Sequence, residues 1–513
     1  YLQKVKAPDC LGVLCMNTNV SEKDLSSIMV IFGGTGDLTH RKLMPAFYNL
    51  VHDNLLPKHF AIVCVGRREK SSEEYRREVL DSLKRFSRNK IEDQKWKRLE
   101  QVVFYENFDF TGLEGYHRLK KRLNELDDIF GTKGNRAYYL AVAPEYFETI
   151  VQRLDESGLA RSVGSWNRLV IEKPFGKDLA TARSLNESLL KVYREDEIFR
   201  IDHYLGKDMI QNIMVLRFSN FMFEQLWNSK YIDNIQISLL EKEGVGSRGG
   251  YYENSGAIRD MLQSHILQIL SLVAMEPPVD LTTDAIRNEK LKVIRAIEEF
   301  TPEFLRKNVV LGQYGAGYID GRPVPAYRDE ERVAKDSMTE TFVALKLHIN
   351  NFRWAGTPFY IRTGKSLAKS SAEIVIQMKS LPNILYFRER YTQIPNLLVI
   401  RIQPNVGVSL RFNTKDFRSH NNIVQQNMDF SHENSSQGNT PEAYERLILD
   451  VLRGDSTLFS RWDEVEASWK IADRIIEYRE RNSFDFPNYN AGTTGPVKAF
   501  ELLARDGREW WSL

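Results

Sequence analysis

The run RIDHYLGK at residues 200–207 sets a carboxylate (Asp202), an imidazole (His203), a phenol (Tyr204) and an ammonium (Lys207) within one short segment. His203, Tyr204 and Lys207 can all donate to a dianionic phosphate, whereas Asp202 only accepts and is free to orient something basic. A solvated loop of mixed charge carries the same residue types, so the segment alone leaves both readings open. A second candidate is the turn Gly33-Gly34-Thr35-Gly36-Asp37-Leu38, which follows an apolar run and opens helix-like sequence. In that context backbone amides at a helix N-terminus can hold a pyrophosphate. Gly33 would permit the tight turn and Gly36 the close approach of phosphate, with Thr35 and Thr39 as added hydroxyl donors. An ordinary strand-to-helix turn uses glycine in the same way. The next apolar run ends in Gly66-Arg67-Arg68, where a chain selecting NAD usually places an acidic residue for the ribose 2′-hydroxyl. Two guanidinium groups suit a 2′-phosphate and leave no carboxylate to repel it, which points to NADP, although they could also solvate a loop with Glu69 and Lys70.

The elements that must hold these groups follow from hydrophobic periodicity. Residues 26–32 (SSIMVIF), 60–65 (FAIVCV), 137–143 (AYYLAVA) and 168–172 (RLVIE) read as buried strands, and 38–50, 73–86 and 115–126 as helices. Strands alternating with helices over this stretch imply a doubly wound parallel sheet with helices on both faces. From about residue 211 the rhythm changes. Strands are expected at 234–240, 340–349, 358–362, 372–378, 396–404 and 408–413, with little helix between the last five. Closely spaced strands make an antiparallel sheet, and helices at 256–275, 283–296, 441–453 and 461–479 would cover one of its faces. The polar segment 415–438, rich in Asn, Ser and Gln, is expected to be an exposed loop.

Composition bounds the function. The 513 residues carry 71 Lys+Arg against 69 Asp+Glu, a formal charge of +2, so neither nucleic acid nor an anionic membrane is the expected partner. Apolar runs fall short of the roughly 20 residues that a membrane span needs, and a soluble protein is expected. Cys10, Cys15 and Cys64 lack the paired spacing of a zinc site or disulfide framework, which fits a reducing compartment. Residues 1–25 read as a loosely docked extension, part of which, ahead of Met16, need not belong to the natural product. The expected domains are this extension, a nucleotide-binding domain at 26–205, and a substrate-binding and dimerisation domain at 206–513.

RIDHYLGK resembles the signature of the glucose-6-phosphate dehydrogenase family, and GGTGDLTHRKL is similar to that family's coenzyme turn. Further similar segments are IEKPFG (171–176), RDMLQSHILQIL (259–270), PFYIRTGK (358–365) and PEAYERLILD (441–450), so the resemblance spans about residues 26–510. It implies a Rossmann-like doubly wound α/β N-terminal domain. It also implies an α+β C-terminal domain with a large, mainly antiparallel sheet covered by helices on one face.

The resemblance further implies an NADP-dependent enzyme of the oxidative pentose phosphate pathway that oxidises D-glucose 6-phosphate at C1 to the 1,5-lactone, with no metal. His265 takes the role of general base and Asp202 that of its supporting carboxylate. Taken alone, a histidine on such a helix would be a satisfied core or cap residue. Lys173 would reach substrate and coenzyme, Pro174 would help set the nicotinamide, and Glu241 and Asp260 would accept from sugar hydroxyls. Lys365 and Gln403 would lie near the same pocket, with His203, Tyr204 and Lys207 on the phosphate. The coenzyme set is Gly33, Gly34, Thr35, Gly36, Asp37, Leu38, Arg67, Arg68, Asp109, Phe110, Tyr139, Lys173 and Pro174.

The sequence departs from the family where many members carry a basic residue and Ser370 stands, beside Lys369. Arg401 could match one arginine of a second, structural NADP site known in some members, but the short tail after Gly495 gives no expectation of that site. A cytoplasmic homodimer or homotetramer is implied. The competing readings are a non-catalytic NADP-binding redox sensor on the same scaffold, and a dehydrogenase of another hexose.

Overall fold

A computed structural model describes residues 25–162, 164–382, 394–416, 423–431 and 442–511. The expected extension, apart from its last residue, and with it Cys10 and Cys15, lies outside the described residues. Six strands, β1 (Ser27–Phe32), β2 (Phe60–Gly66), β3 (Val103–Asn107), β4 (Arg136–Leu140), β5 (Asn167–Ile171) and β6 (Ile198–Ile201), form a parallel sheet in the order β6-β5-β4-β1-β2-β3. β1, β2 and β4 are buried on both faces, which is why they read as continuous apolar runs instead of alternating ones. The strand order reverses between β1 and β4, which opens a crevice at their carboxyl ends. Gly33 begins the turn there. Its φ of +90° and a built Cβ only 2.1 Å from the Ala141 carbonyl oxygen admit no other residue without strain.

The helix Ser72–Phe86 starts with a capping box between Ser71 and Glu74, worth about 1 kcal/mol, and buries Tyr75, Val79 and Leu83 against the sheet. Tyr75 then donates from its hydroxyl to the Gly34 carbonyl at 2.6 Å, so the helix fixes the turn.

The second sheet has eight strands. β7 (Ile232–Leu240) lies centrally between β13 (Phe359–Gly364) and β14 (Ser371–Met378). Beyond β13 come β12 (Phe342–Leu347) and β8 (Val309–Gly312), and beyond β14 come β15 (Leu397–Gln403), β16 (Gly407–Lys415) and β17 (Ile423–Ser431). Only β7 and β13 pair in parallel; the other pairs are antiparallel. Ile235, Ile237, Leu239, Ile374 and Ile400 enter a core shared with the helices Leu267–Ala274 and Trp462–Arg481. Across the other face run the helix Val497–Ala504 and the segment ending at Trp511, whose backbone N–H donates to Gln236 Oε1 at 2.7 Å. Two small sheets, β9 (Tyr314–Gly315) with β19 (Tyr489–Asn490) and β10 (Gly317–Ile319) with β11 (Arg322–Val324), complete the described strands apart from β18 (Phe459–Ser460). That last strand returns to the first sheet, antiparallel to β6.

The strand β17 corrects the expected exposed loop at 415–438. An outer strand leaves the backbone groups of β16 to be satisfied, and an amide-rich strand does this as well as an apolar one. Its side chains are mostly exposed, so no apolar alternation marks it. The expected helix at 256–275 is also subdivided: Gly256, with φ 61° and ψ 177°, breaks the helix Gly249–Ala257, and a π-helical segment Ile258–Ile266 leads into Leu267–Ala274.

Replacing Gly33 by Ala is expected to lower the unfolding free energy by at least about 2 kcal/mol, from the left-handed backbone and the collision with Ala141. Urea unfolding checks it, and an unchanged midpoint would show that the turn tolerates a side chain.

Candidate active site

Asp202 leaves the end of β6, and His265 lies near the end of the π-helical segment. The imidazole Nδ1 is 2.5 Å from Asp202 Oδ1, and both residues are 2% exposed or less. On the other side of the ring, Lys173 Nζ stands 3.0 Å from Nε2. An ammonium only donates, so Nε2 carries the lone pair and the ring proton sits on Nδ1, held by Asp202. Burial pulls the His265 pKa below its ordinary value, with Asp202 opposing and Lys173 assisting, which favours the neutral ring near pH 7. Burial also opposes the charge on Asp202, but the His265 imidazole, then His203 and Lys173, outweigh it and hold the carboxyl below the usual range.

Tyr204 stacks on the His265 ring, with centroids 4.5 Å apart and planes at 30°, and His203 meets it edge-on at 4.7 Å. Lys207 Nζ lies 3.7 Å from the centre of the Tyr204 ring and donates to Gln403 Oε1 at 2.6 Å. Burial brings the Lys207 pKa down to about 8 and drives that of His203 well below its ordinary value, with the adjoining His265 imidazole adding to the second effect. Asp202, His203 and His265 bring possible metal-ligating atoms within 4.8 Å of one another, but two of the three are already bonded together.

Towards the opposite side, Lys173 donates to the Asp260 carbonyl and lies 3.4 Å from its carboxylate. Burial opposes the Asp260 charge, yet Lys173 and Lys365 keep its pKa below the ordinary value. Lys365 pairs with Glu241, and its ammonium sits 5.2 Å from the ring of Tyr252. Around the His265 ring the site therefore gathers donors (His203, Tyr204, Lys207) and acceptors (Glu241, Asp260), the acceptors each facing a lysine.

At the crevice, Gly33 and Gly34 both donate to the Val65 carbonyl, at 2.9 and 2.8 Å, and Gly36 donates to Gly33 at 2.9 Å. The helix begins at Asp37, and first-turn amides such as those of Asp37 and Leu38 have no intrahelical partner. Arg67 and Arg68 are exposed beyond β2, and the Arg67 guanidinium lies 5.7 Å from the ring of Tyr146. Tyr146 packs edge-on against Phe110 at 5.8 Å, so these residues line one wall. Asp109 is exposed and accepts from the Thr111 amide and hydroxyl. Pro174 follows Lys173 across a cis peptide.

Three residues near the site are turned to protein partners. Tyr139, expected among the coenzyme residues, is 2% exposed inside the core, and its hydroxyl donates to Glu172 at 2.5 Å. Thr39 is buried and donates to the Gly33 carbonyl at 2.9 Å, so its hydroxyl braces the turn instead of facing phosphate. Ser370 bonds Glu243 and the Lys242 amide, and Lys369 points to solvent. Sequence reasoning missed Glu172, Tyr444 and Tyr252. Glu172 accepts from Tyr139 and, at 3.3 Å, from Tyr444, and burial pushes its pKa up to about 7. Both lie inside segments already singled out, IEKPFG and PEAYERLILD, but nothing short of the fold joins them.

A doubly wound sheet with a glycine turn at its switch point, joined to a second sheet across a buried carboxylate–imidazole pair, defines a class of dinucleotide-binding oxidoreductases. Two family models match the chain: "Glucose-6-phosphate dehydrogenase, NAD binding domain" over residues 30–212 and "Glucose-6-phosphate dehydrogenase, C-terminal domain" over 214–511. The chain belongs to the glucose-6-phosphate dehydrogenase family. It is 47% identical to the glucose-6-phosphate 1-dehydrogenase of Bacillus subtilis strain 168, covering 97% of this chain and 100% of that one. Its identity to the Chlamydia pneumoniae protein of the same name is 46%, over 94% and 95%. A solved glucose-6-phosphate dehydrogenase in complex with its substrate glucose-6-phosphate superposes with a TM-score of 0.87 at 34% identity, over 95% of this chain and 99% of that one. The Mycobacterium avium enzyme superposes with a TM-score of 0.80 at 32% identity, over the same shares.

Replacing Asp202 by Asn removes the negative charge that favours the imidazolium, so His265 is expected to titrate at lower pH than in the parent. NMR of the labelled imidazole measures this, and an unmoved titration would show that the carboxylate is not coupled to the ring.

Proposed function

We propose that the chain oxidises D-glucose 6-phosphate at C1 to 6-phospho-D-glucono-1,5-lactone with NADP, a step of the oxidative pentose phosphate pathway. The observation that carries this reading is the Asp202–His265–Lys173 series, which presents the Nε2 lone pair of a neutral imidazole among side chains able to hold a phosphate and sugar hydroxyls. The C1 hydroxyl has a pKa far above neutrality, so its proton must pass to a base as the C1–H bond breaks. His265 Nε2 takes that proton, and Asp202 holds Nδ1–H and stabilises the imidazolium that forms. Lys173 yields its bond on Nε2 to the sugar hydroxyl and stays beside it through the Asp260 carbonyl. Asp260 and Glu241 accept from the ring hydroxyls, and His203, Tyr204 and Lys207, with Gln403 beside Lys207, hold the phosphate.

NADP, when bound, accepts the hydride that leaves C1. The residues present fit it. A Cβ on Gly33 would collide with Ala141 and one on Gly34 would come within 2.7 Å of Cys64, so bare glycines let the turn pack tightly onto the strands and set the helix start at the crevice. The first-turn amides from Asp37 onward suit the pyrophosphate, and Arg67 and Arg68 suit the 2′-phosphate. The reading extends to a division of the chain near residue 205 and to a cytoplasmic homodimer or dimer of dimers joined through the eight-stranded sheet. In support of that interface, Met428 and Phe430 on β17 are 63% and 50% exposed. Among the described residues no helix is long and apolar enough to cross a membrane.

The test follows reduced-nicotinamide absorbance with glucose 6-phosphate and with free glucose, using NADP and NAD, for the parent and Lys207→Ala. The variant is expected to lose roughly 100-fold in kcat/KM on the phosphorylated sugar, because a dianion loses a charged donor in a partly desolvated site, and little on free glucose. Parallel loss on both sugars would assign Lys207 to the catalytic or folding apparatus, and a parent that forms no NADPH from glucose 6-phosphate would overturn the reading.

A pH dependence follows from the same lysine. Its charged form binds the dianion and is lost as pH rises through about 8 in the free protein, while the phosphate itself loses charge below about pH 6. The parent's kcat/KM is therefore expected to fall above about pH 8, and Lys207→Ala to lack that upper limb. An identical alkaline limb in both proteins would trace it to another group.

A further inference from the structure

The start of the helix that carries His265 is held by a carboxylate from a distant part of the chain. Glu340, which is fully buried just ahead of β12, accepts the Ile258 N–H on Oε1 at 3.0 Å and the Ala257 N–H on its backbone carbonyl at 3.0 Å. Its Oε2 receives Arg479 Nη1 at 2.5 Å, from the helix Trp462–Arg481. The next residue of the catalytic helix, Arg259, donates to the Lys177 carbonyl at 2.7 Å, on the loop that begins with Lys173. Gly256 makes room for this arrangement: a Cβ there would lie 2.3 Å from Glu340 Oε1 and 2.7 Å from its Cδ.

A buried carboxylate is costly unless it is paired, and a helix N-terminus is where unpaired amides favour an anion. Both conditions meet at Glu340, so its position is determined from three sides: by Ile258, by Arg479 and by its own backbone carbonyl, which accepts the Ala257 N–H. Asp260 and His265 follow Ile258 by only two and seven residues along the same segment. The height and rotation of the helix at Ile258 therefore set where the Asp260 carbonyl meets Lys173 and where Nε2 stands between Lys173 and Asp202. A π-helical segment is less regular than an α-helix and is common at functional sites, which makes an external anchor at its start consequential.

We infer that Glu340, clamped by Arg479 and accommodated by Gly256, is a positioning residue for His265 and Asp260, acting through the helix without touching sugar or coenzyme. The inference rests on the function proposed above.

The experiment compares full-length parent, Glu340→Ala, Glu340→Ala with Arg479→Met, and Glu340→Gln, reading Tm, kcat, the KM for NADP and the His265 imidazole resonances. Glu340→Ala leaves the largely buried Arg479 guanidinium with only the exposed Glu480, at 3.4 Å, and is expected to lower both Tm and kcat, the latter by about 10- to 100-fold through misplacement of the base. Adding Arg479→Met removes the stranded charge and returns Tm towards the parent, while kcat stays low because the helix start is still unanchored. Glu340→Gln keeps an acceptor for Ile258 and recovers most of kcat. The KM for NADP stays constant throughout, since the glycine turn is untouched.

A kcat that rises and falls with Tm across the series would overturn the inference, as would Glu340→Ala with kcat within about twofold of the parent, far inside the loss that misplacement produces. The His265 resonances need no turnover: they are expected to move in the double variant and to hold in Glu340→Gln. Resonances unmoved in the double variant overturn the inference whatever the activity, whereas an inactive parent whose variants shift them as stated overturns only the functional reading.

Discussion

From Ile258 to Met275 every residue except Arg259 is buried, and the segment has polar backbone groups at both ends that no water reaches. At the C-terminal end, Arg217 donates to the carbonyls of Leu272, Val273 and Met275 at 3.1, 3.0 and 2.8 Å. Trp227 and Trp354 donate their indole N–H groups to Val273 and Ala274 at 2.8 and 2.7 Å. A cation at this end and the Glu340 carboxylate at the other match the helix dipole. Burial brings the Arg217 pKa down to about 10, which still leaves it charged at neutral pH. Single groups from the helix Asp208–Phe218, from loops flanking β7 and β12 and from the last long helix thus make one buried helix tolerable, and that helix carries the base.

The electrostatics of the site follow from the same burial. Desolvation acts on Asp202, His203, Lys207, Asp260 and His265 alike, and what distinguishes them is their partners. Asp202 stays charged because imidazole and ammonium groups face it, and Asp260 because Lys173 and Lys365 do. His203 and His265 have no comparable surplus of negative charge, and both are shifted towards the neutral form. The free protein therefore holds the Asp202 and Asp260 carboxylates beside two neutral imidazoles. For His265, that is the protonation state in which an imidazole can accept a proton.

How much of this could be read beforehand depended on whether a feature is local. The strands β1, β2, β4 and β5 are buried on both faces and announce themselves as apolar runs, and the glycine turn is recognisable because bare backbone leaves glycines behind. β6 has four residues and β3 is only partly buried, so neither rises above the noise of a short apolar stretch. β17 is stabilised by backbone pairing, to which side-chain pattern is blind. His265 could be picked out only through the family resemblance, since a histidine on an apolar helix is normally a satisfied core residue. That Tyr139 is buried in the core was not legible either, because a strand residue near a coenzyme turn can face the crevice or the core, and the period of two does not say which. Glu340, Tyr444 and Arg479 act across separations of more than a hundred residues, which no local pattern records.

Those long separations also explain how the site is kept rigid. The chain passes from the first sheet to the second just after Asp202, and it comes back with the helix Ala443–Arg453 and β18. Glu445 on that helix is buried and bonded to Arg88 and Asn49, and the Arg168 guanidinium donates to the carbonyls of Val451 and Leu452. Tyr444 meets Glu172, one residue before Lys173. The segment bearing Lys173 is therefore gripped from the returning helix on one side and, through Lys177 and Arg259, from the catalytic helix on the other. Asp202 and Lys173 come from one sheet and His265 from the far side of the junction, so their spacing depends on two independent connections between the halves. A single flexible joint would let the 3.0 Å contact between Lys173 and His265 drift by more than a catalytic hydrogen bond tolerates, and the returning helix removes that freedom.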